Sequence, residues 1–224
     1  MIELVERHTI LGVVVGSRAY GLSGPASDHD RRGVYAAPTR LFWSLDKPPT
    51  HLDGPRPEQF SWEIERFCAL AAQANPTVLE VLWSPIVETL TPLGSRLLSA
   101  RRTFLSRKVA STYGEYARDQ LNRVSARRER TGETNWKQAM HMIRLLHAGK
   151  HVLLTGDVLV DVTPLRAPLL DIRNGTVPWK TVTAWAATLR EELSAALTTS
   201  PLPESPDRHT IDQLLHDVRE EGLT

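Results

Sequence analysis

The spacing of apolar and polar positions changes in kind along the chain. Thr9–Gly16 reads TILGVVVG, a short β-branched run closed by glycine, which predicts a buried strand. Ser17–Leu22 predicts a helical turn, broken by Gly24 and Pro25. Arg32–Ala37 predicts a second strand stopped by Pro38. Lys47–Pro57 reads as a loop, and Glu58–Trp62 as a third strand or a strand-to-helix junction. Ile64, Phe67, Cys68, Ala71 and Ala72 recur at helical spacing as far as Asn75-Pro76, and Thr77–Trp83 predicts a second short helix. From about Thr91 the period is helical. One stripe runs through Leu105, Val109, Thr112, Tyr116 and Val124. A second, through Trp136, Met140, Ile143 and His147, ends near Gly149. Two more follow, through Val182–Leu193 and Ile211–Val218. This order predicts an α/β (α+β) fold: a first lobe over residues 1–92 and a helical lobe over 93–224.

Composition narrows the picture. Among 224 residues, 41% are hydrophobic and 24% charged, which argues against wholesale disorder. Cys68 stands alone, so neither an internal disulfide nor a Cys-rich zinc site can form. No apolar run approaches the length of a membrane span, and MIELVERH lacks the pattern of a signal peptide. The expectation is a cytoplasmic protein with no membrane partner. Residues 101–150 hold 12 Lys or Arg against 4 Asp or Glu, a balance of +8 where the whole chain carries +1. Such a segment suits a polyanion, with a solvated helix face as the alternative.

The densest chemistry lies in Gly12–Tyr35. Gly16 permits a tight turn and close approach to a ligand, and the amides after it, with Ser17, can receive phosphate. This is not a Walker A loop, because no Gly-Lys-Ser/Thr follows. Asp28 and Asp30 at i and i+2 on an extended segment project to one side, where a divalent cation relieves their repulsion. Hard oxygen donors suit Mg2+ or Mn2+ together with substrate phosphates. The alternative is an exposed polar turn.

In combination, these residues resemble the DNA polymerase beta-like nucleotidyltransferase superfamily. They are most similar to a bacterial and phage family of predicted nucleotidyltransferases, some associated with RNA ligase and RNA repair. The resemblance rests on Gly16-Ser17-Arg18-Ala19-Tyr20-Gly21 and on Ser27-Asp28-His29-Asp30-Arg31-Arg32-Gly33-Val34. Trp62-Glu63-Ile64, Asn75–Glu80, Leu82–Pro85, and Lys137 with His141–Leu146 continue it in order.

The resemblance implies a small mixed sheet with flanking helices, Asp28 and Asp30 as metal ligands, and transfer of a nucleotidyl group from an NTP to a hydroxyl. It also implies a third carboxylate, for which Glu58 stands where the family often has aspartate, with Glu63 as the rival. Lys137, His141 and Arg144, at i, i+4 and i+7, share a helix face that could grip the triphosphate, and Arg18 is a further phosphate candidate. The arginines at 123, 127, 128 and 130 could together guide an RNA acceptor, with solvation as the alternative, and Tyr113 and Tyr116 could stack bases or, as the alternative, pack in the helix. A small molecule or protein side chain is the alternative acceptor, and a non-catalytic binding or antitoxin-like module the alternative function.

Overall fold

The computed structural model describes residues 2–223. In chain order the first elements are α1 (Ile2–His8), β1 (Thr9–Val14), α2 (Gly16–Ala19), β2 (Arg31–Tyr35), a 3-10 turn at Thr39–Trp43, β3 (His51–Asp53) and β4 (Gln59–Glu63). Next come α3 (Ile64–Ala72), α4 (Pro76–Leu82), β5 (Ile86–Leu90) and α5 (Pro92–Ser99). The long helices α6 (Val109–Thr131) and α7 (Trp136–Thr155) follow, then α8 (Arg166–Arg173), α9 (Trp179–Thr199) and α10 (Arg208–Glu221). The expected α/β class is therefore present.

Two compact units make up the chain. Residues 1–105 with 206–224 form the first, and 106–205 form the second. The first is built on a mixed sheet of order β3-β4-β2-β1-β5, antiparallel except for the parallel pair β2/β4. Ile10, Leu11, Val13 and Val14 of β1 are all buried, as a continuous β-branched run predicts for a strand covered on both faces. Asn75 caps α4 through Val78 N at 3.3 Å, Pro76 opens it, and every later residue except Thr77 is buried.

The final helix returns to this unit. Arg219 of α10 pairs with both oxygens of Glu63 at 2.9 and 3.1 Å, and its guanidinium lies 3.9 Å from the centre of the Phe42 ring. Arg96 of α5 holds Asp217 at 2.6 Å. Residues 93–105 and 206–224, which the helical period groups with the C-terminal lobe, thus pack with the sheet; Leu97, Phe104 and Leu105 are buried there.

The second unit is helical. Helix α7 continues through Gly149 and ends at Gly156, which takes φ +70°. Gly149 is instead a packing position: a Cβ there would come 2.9 Å from Tyr113 Cβ on α6. Three elements escape the sequence pattern. Helix α1 alternates apolar and charged residues. Strand β3 lies inside the expected 47–57 loop. Strand β5 is an edge strand with most side chains exposed.

Candidate active site

The Gly-Ser turn and the Asp loop meet at the end of the sheet. The chain leaves β1 at Val14, and Gly16 takes φ +70°, a left-handed conformation that glycine adopts without a Cβ penalty. A Cβ on Gly16 would collide with Asp30 Oδ2 and come within 3.2 Å of Asp30 Cγ. The Asp30 carboxylate therefore lies directly on the turn. Val15 N donates to Asp30 O at 2.8 Å, extending the β1/β2 ladder up to the turn. The amides that open a helix have no partner within it, so Gly16 and Ser17 stand where outward-facing donors are expected.

Arg18 braces the two segments. Its Nε donates to Asp28 O at 3.2 Å and its Nη2 to Ser27 O at 2.8 Å. These contacts make Arg18 a strut between turn and loop.

The nearby arginines bear on the charge of the Asp pair. Arg31 Nε pairs with Glu88, 3.0 Å from Oε2, and Arg56 reaches the same oxygen at 2.9 Å. Arg32 Nη1 donates to the backbone oxygens of Arg31 and Glu58 at 2.7 and 3.2 Å. Neither the Asp28 nor the Asp30 carboxylate enters a hydrogen bond or ion pair among the described residues. Arg31 is thus paired with Glu88, while Arg18 and Arg32 donate to backbone oxygens rather than to the Asp carboxylates.

The rivals for a third carboxylate are now separable. Arg31 of β2 is in parallel register with Gln59 of β4, so Asp30 and Glu58 stand one step before their strands on adjacent chains. Glu58 takes φ +54°, a strained conformation for a non-glycine residue. Its carbonyl accepts from Arg31 N at 2.9 Å. Glu63 lies at the far end of β4, about 13 Å along the strand from Gln59. Its carboxylate is buried, pairs with Arg219 and caps α3 through Glu65 N at 2.8 Å. Glu63 thus holds a structural pair away from the Asp loop. Among the described residues no three His, Cys, Asp or Glu side chains gather into a metal-holding group. The carboxylate oxygens of Asp28 and Asp30 are of the hard donor type that magnesium and manganese prefer.

In the second unit, α7 carries Lys137, His141 and Arg144. Lys137 is exposed, whereas Arg144 is only 1% exposed. Its Nη2 lies 3.3 Å from His141 Nδ1, which makes that nitrogen the acceptor and leaves the imidazole proton on Nε2. Burial, with the charges of Arg144 and Lys137, pushes the His141 pKa down to about 3. This face therefore presents a neutral imidazole beside a buried guanidinium, rather than a wholly solvated stripe.

On α6, Tyr113 is buried and Tyr116 is 39% exposed. Arg127 pairs with Glu133 at 2.8 Å and Arg128 donates to Thr134 Oγ1 at 2.6 Å. Arg123 and Arg130 are exposed and enter no ion pair among the described residues. Cys68 is buried, and desolvation, reinforced by Glu63, raises its pKa to about 12, so it is an inert core thiol. Sequence reasoning missed Glu80 as a buried carboxylate beside the turn. It lies in the Asn75–Glu80 patch of the resemblance and is the one acidic residue of α4, but neither signal shows that it is buried or what it holds.

No helix among the described residues is long and apolar enough to cross a membrane. A family model described as RlaP, RNA repair pathway DNA polymerase beta family, matches residues 3–217. Comparison with curated proteins gave no match, and comparison with solved structures gave none.

Proposed function

Since the chain belongs to the RNA repair pathway DNA polymerase beta family, we propose that it transfers a nucleotidyl group from an NTP to a hydroxyl acceptor, and that the acceptor is RNA. The observation that carries this reading is the seating of the Asp30 carboxylate on the Gly16 turn, with Asp28 and Asp30 both unpaired beside arginines committed elsewhere. A phosphate-binding turn in contact with a free dicarboxylate is the minimum apparatus for bringing a metal-bound triphosphate to an acceptor.

In this reading the Gly16-Ser17 turn receives the β- and γ-phosphates of the donor. Asp28 and Asp30 hold a magnesium or manganese ion, which when bound offsets triphosphate charge and orients the attacking oxygen. The acceptor oxygen forms a bond to the α-phosphorus as the bond to the bridging oxygen breaks, and pyrophosphate carries away that electron pair. Glu58, level with Asp30 on the neighbouring strand, takes the hydroxyl proton. Most of the rate enhancement comes from positioning and charge stabilisation.

RNA is favoured as acceptor by the helix face of α6 on which Arg123, Arg127 and Arg130 recur at i, i+4 and i+7. The test is incubation of the full chain with each labelled NTP, magnesium and RNA bearing defined ends. Label on RNA with release of pyrophosphate supports the reading. Label on protein or on a small molecule transfers the chemistry to another acceptor. Absence of transfer and of NTP binding overturns it in favour of a non-catalytic module.

A further inference from the structure

The turn between β1 and α2 is tied down at three points, and one of them uses a buried carboxylate with no part in the chemistry above. At the strand end, Ser84 Oγ donates to Val14 O at 2.5 Å. In the middle, Val15 N is bound to Asp30 O. At the far end, the Tyr20 hydroxyl donates to Glu80 Oε2 at 2.6 Å. Ser84 and Glu80 belong to α4 and the residues just after it, so a single buried helix grips both ends of the turn.

Glu80 is 3% exposed, and its helix neighbours Val78, Leu79, Val81 and Leu82 are buried apolar side chains. A carboxylate in such surroundings costs free energy that leucine would not, and it is tolerated only where hydrogen bonds meet its oxygens. Packing alone therefore gives no reason for glutamate here. A donor phosphate arriving at the turn would also meet a nearby negative charge, so direct ligand contact gives none either.

We propose that Glu80 is a positioning residue for the Gly16–Ser17 turn, acting through Tyr20. The inference rests on the proposed reading of that turn as the donor site. Gly16 is intrinsically free to leave φ +70°, and Tyr20 directly follows the short helix that it opens. The Tyr20–Glu80 bond removes that freedom and holds the turn against Asp30. Short, charge-assisted hydrogen bonds of this kind are about twice as strong as neutral ones.

The experiment measures magnesium-dependent NTP binding by calorimetry, and thermal stability, for the full-length wild type and the Tyr20→Phe, Glu80→Gln, Glu80→Leu and Tyr20→Phe/Glu80→Leu variants. Tyr20→Phe deletes one oxygen and keeps the ring. Both it and Glu80→Leu are expected to weaken NTP binding about tenfold, the range for a lost hydrogen bond to a charged group. The double variant is expected to lose less than the sum of the two single losses, because both break the same bond. Glu80→Gln keeps a carbonyl acceptor and is expected to retain near wild-type binding. A Tyr20→Phe protein that binds NTP as the wild type does overturns the inference and leaves the donor site standing. Loss of binding in step with loss of thermal stability across all variants, Glu80→Gln included, also overturns it, by making the pair merely structural. A wild type that binds no NTP overturns the donor-site reading itself and this inference with it.

Discussion

Asp28 is exposed and Asp30 half-buried at the strand end. Among the described residues neither carboxylate has a cationic partner, while Arg18, Arg31 and Arg32 are engaged by backbone oxygens or by Glu88. Asp28→Asn or Asp30→Asn should therefore lower magnesium-dependent transfer by about 10²–10³ or more, the cost of losing a key electrostatic element. Thermal stability should stay level or rise slightly, because no native pair is broken and repulsion is relieved. An assay of transfer beside a melting curve checks both.

His141 makes a prediction of opposite character. Its folded-state pKa of about 3 lies below the ordinary 6.5, so between those values the unfolded chain binds the extra proton. Stability is then fully present above about pH 6.5 and falls as the pH drops toward 3, by on the order of 2 kcal/mol for this residue at pH 5. The His147 pKa is also lowered, first by burial, and it contributes in the same direction. Denaturation at pH 7 and pH 5 should show a smaller loss in His141→Gln than in the wild type.

Individual elements depend on partners far away in sequence. Helix α3 begins at Glu63, whose carboxylate both caps it and anchors α10 through Arg219. Because that carboxylate is buried, Arg219→Ala leaves a charge without compensation and should cost about 3–5 kcal/mol, whereas replacing an exposed pair would cost about 1 or less. Arg219→Lys should rescue only part, since an ammonium cannot reproduce the two-pronged contact or the stacking on Phe42. Urea denaturation of the three proteins measures this. A loss in Arg219→Ala below about 1 kcal/mol would place the pair among weak surface contacts.

The charge distribution of the chain as a whole bears on the acceptor. The excess of 101–150 is partly absorbed locally, since Arg107, Arg127 and Lys150 pair with Glu204, Glu133 and Glu192. Among the described residues, Arg118, Arg123 and Arg130 of α6 are exposed and enter no ion pair, and the last two lie in the run read as facing RNA. If RNA follows this face, replacing both with alanine should flatten the dependence of log affinity on log salt by about one to two units, because each lost phosphate contact releases fewer counterions. NTP affinity should not change. Identical salt slopes for wild type and variant would remove this face from the RNA path.

How much of this was legible in the residues follows from how local each signal is. The buried strand ending at a glycine turn, the Asp loop before the second strand, and the amphipathic period of α3 and the late helices are local patterns, and they recur in the structure close to where the pattern puts them. Residue spacing alone also nominated Gly16 and Asp30, because a turn glycine and a dicarboxylate are recognisable without their surroundings. Short edge strands β3 and β5 were not legible: exposed on most positions and paired on one side, they bury too little to imprint an alternation. Nor was the attachment of α10, since the partner of Arg219 stands 156 residues earlier and helical period reports only which face is apolar, not what covers it. The same limit applies at the site. Whether an arginine beside Asp30 neutralises it, braces a loop or turns to Glu88 depends on which oxygens tertiary packing brings within about 3 Å, and that information is carried by long-range contacts rather than by neighbours in the chain.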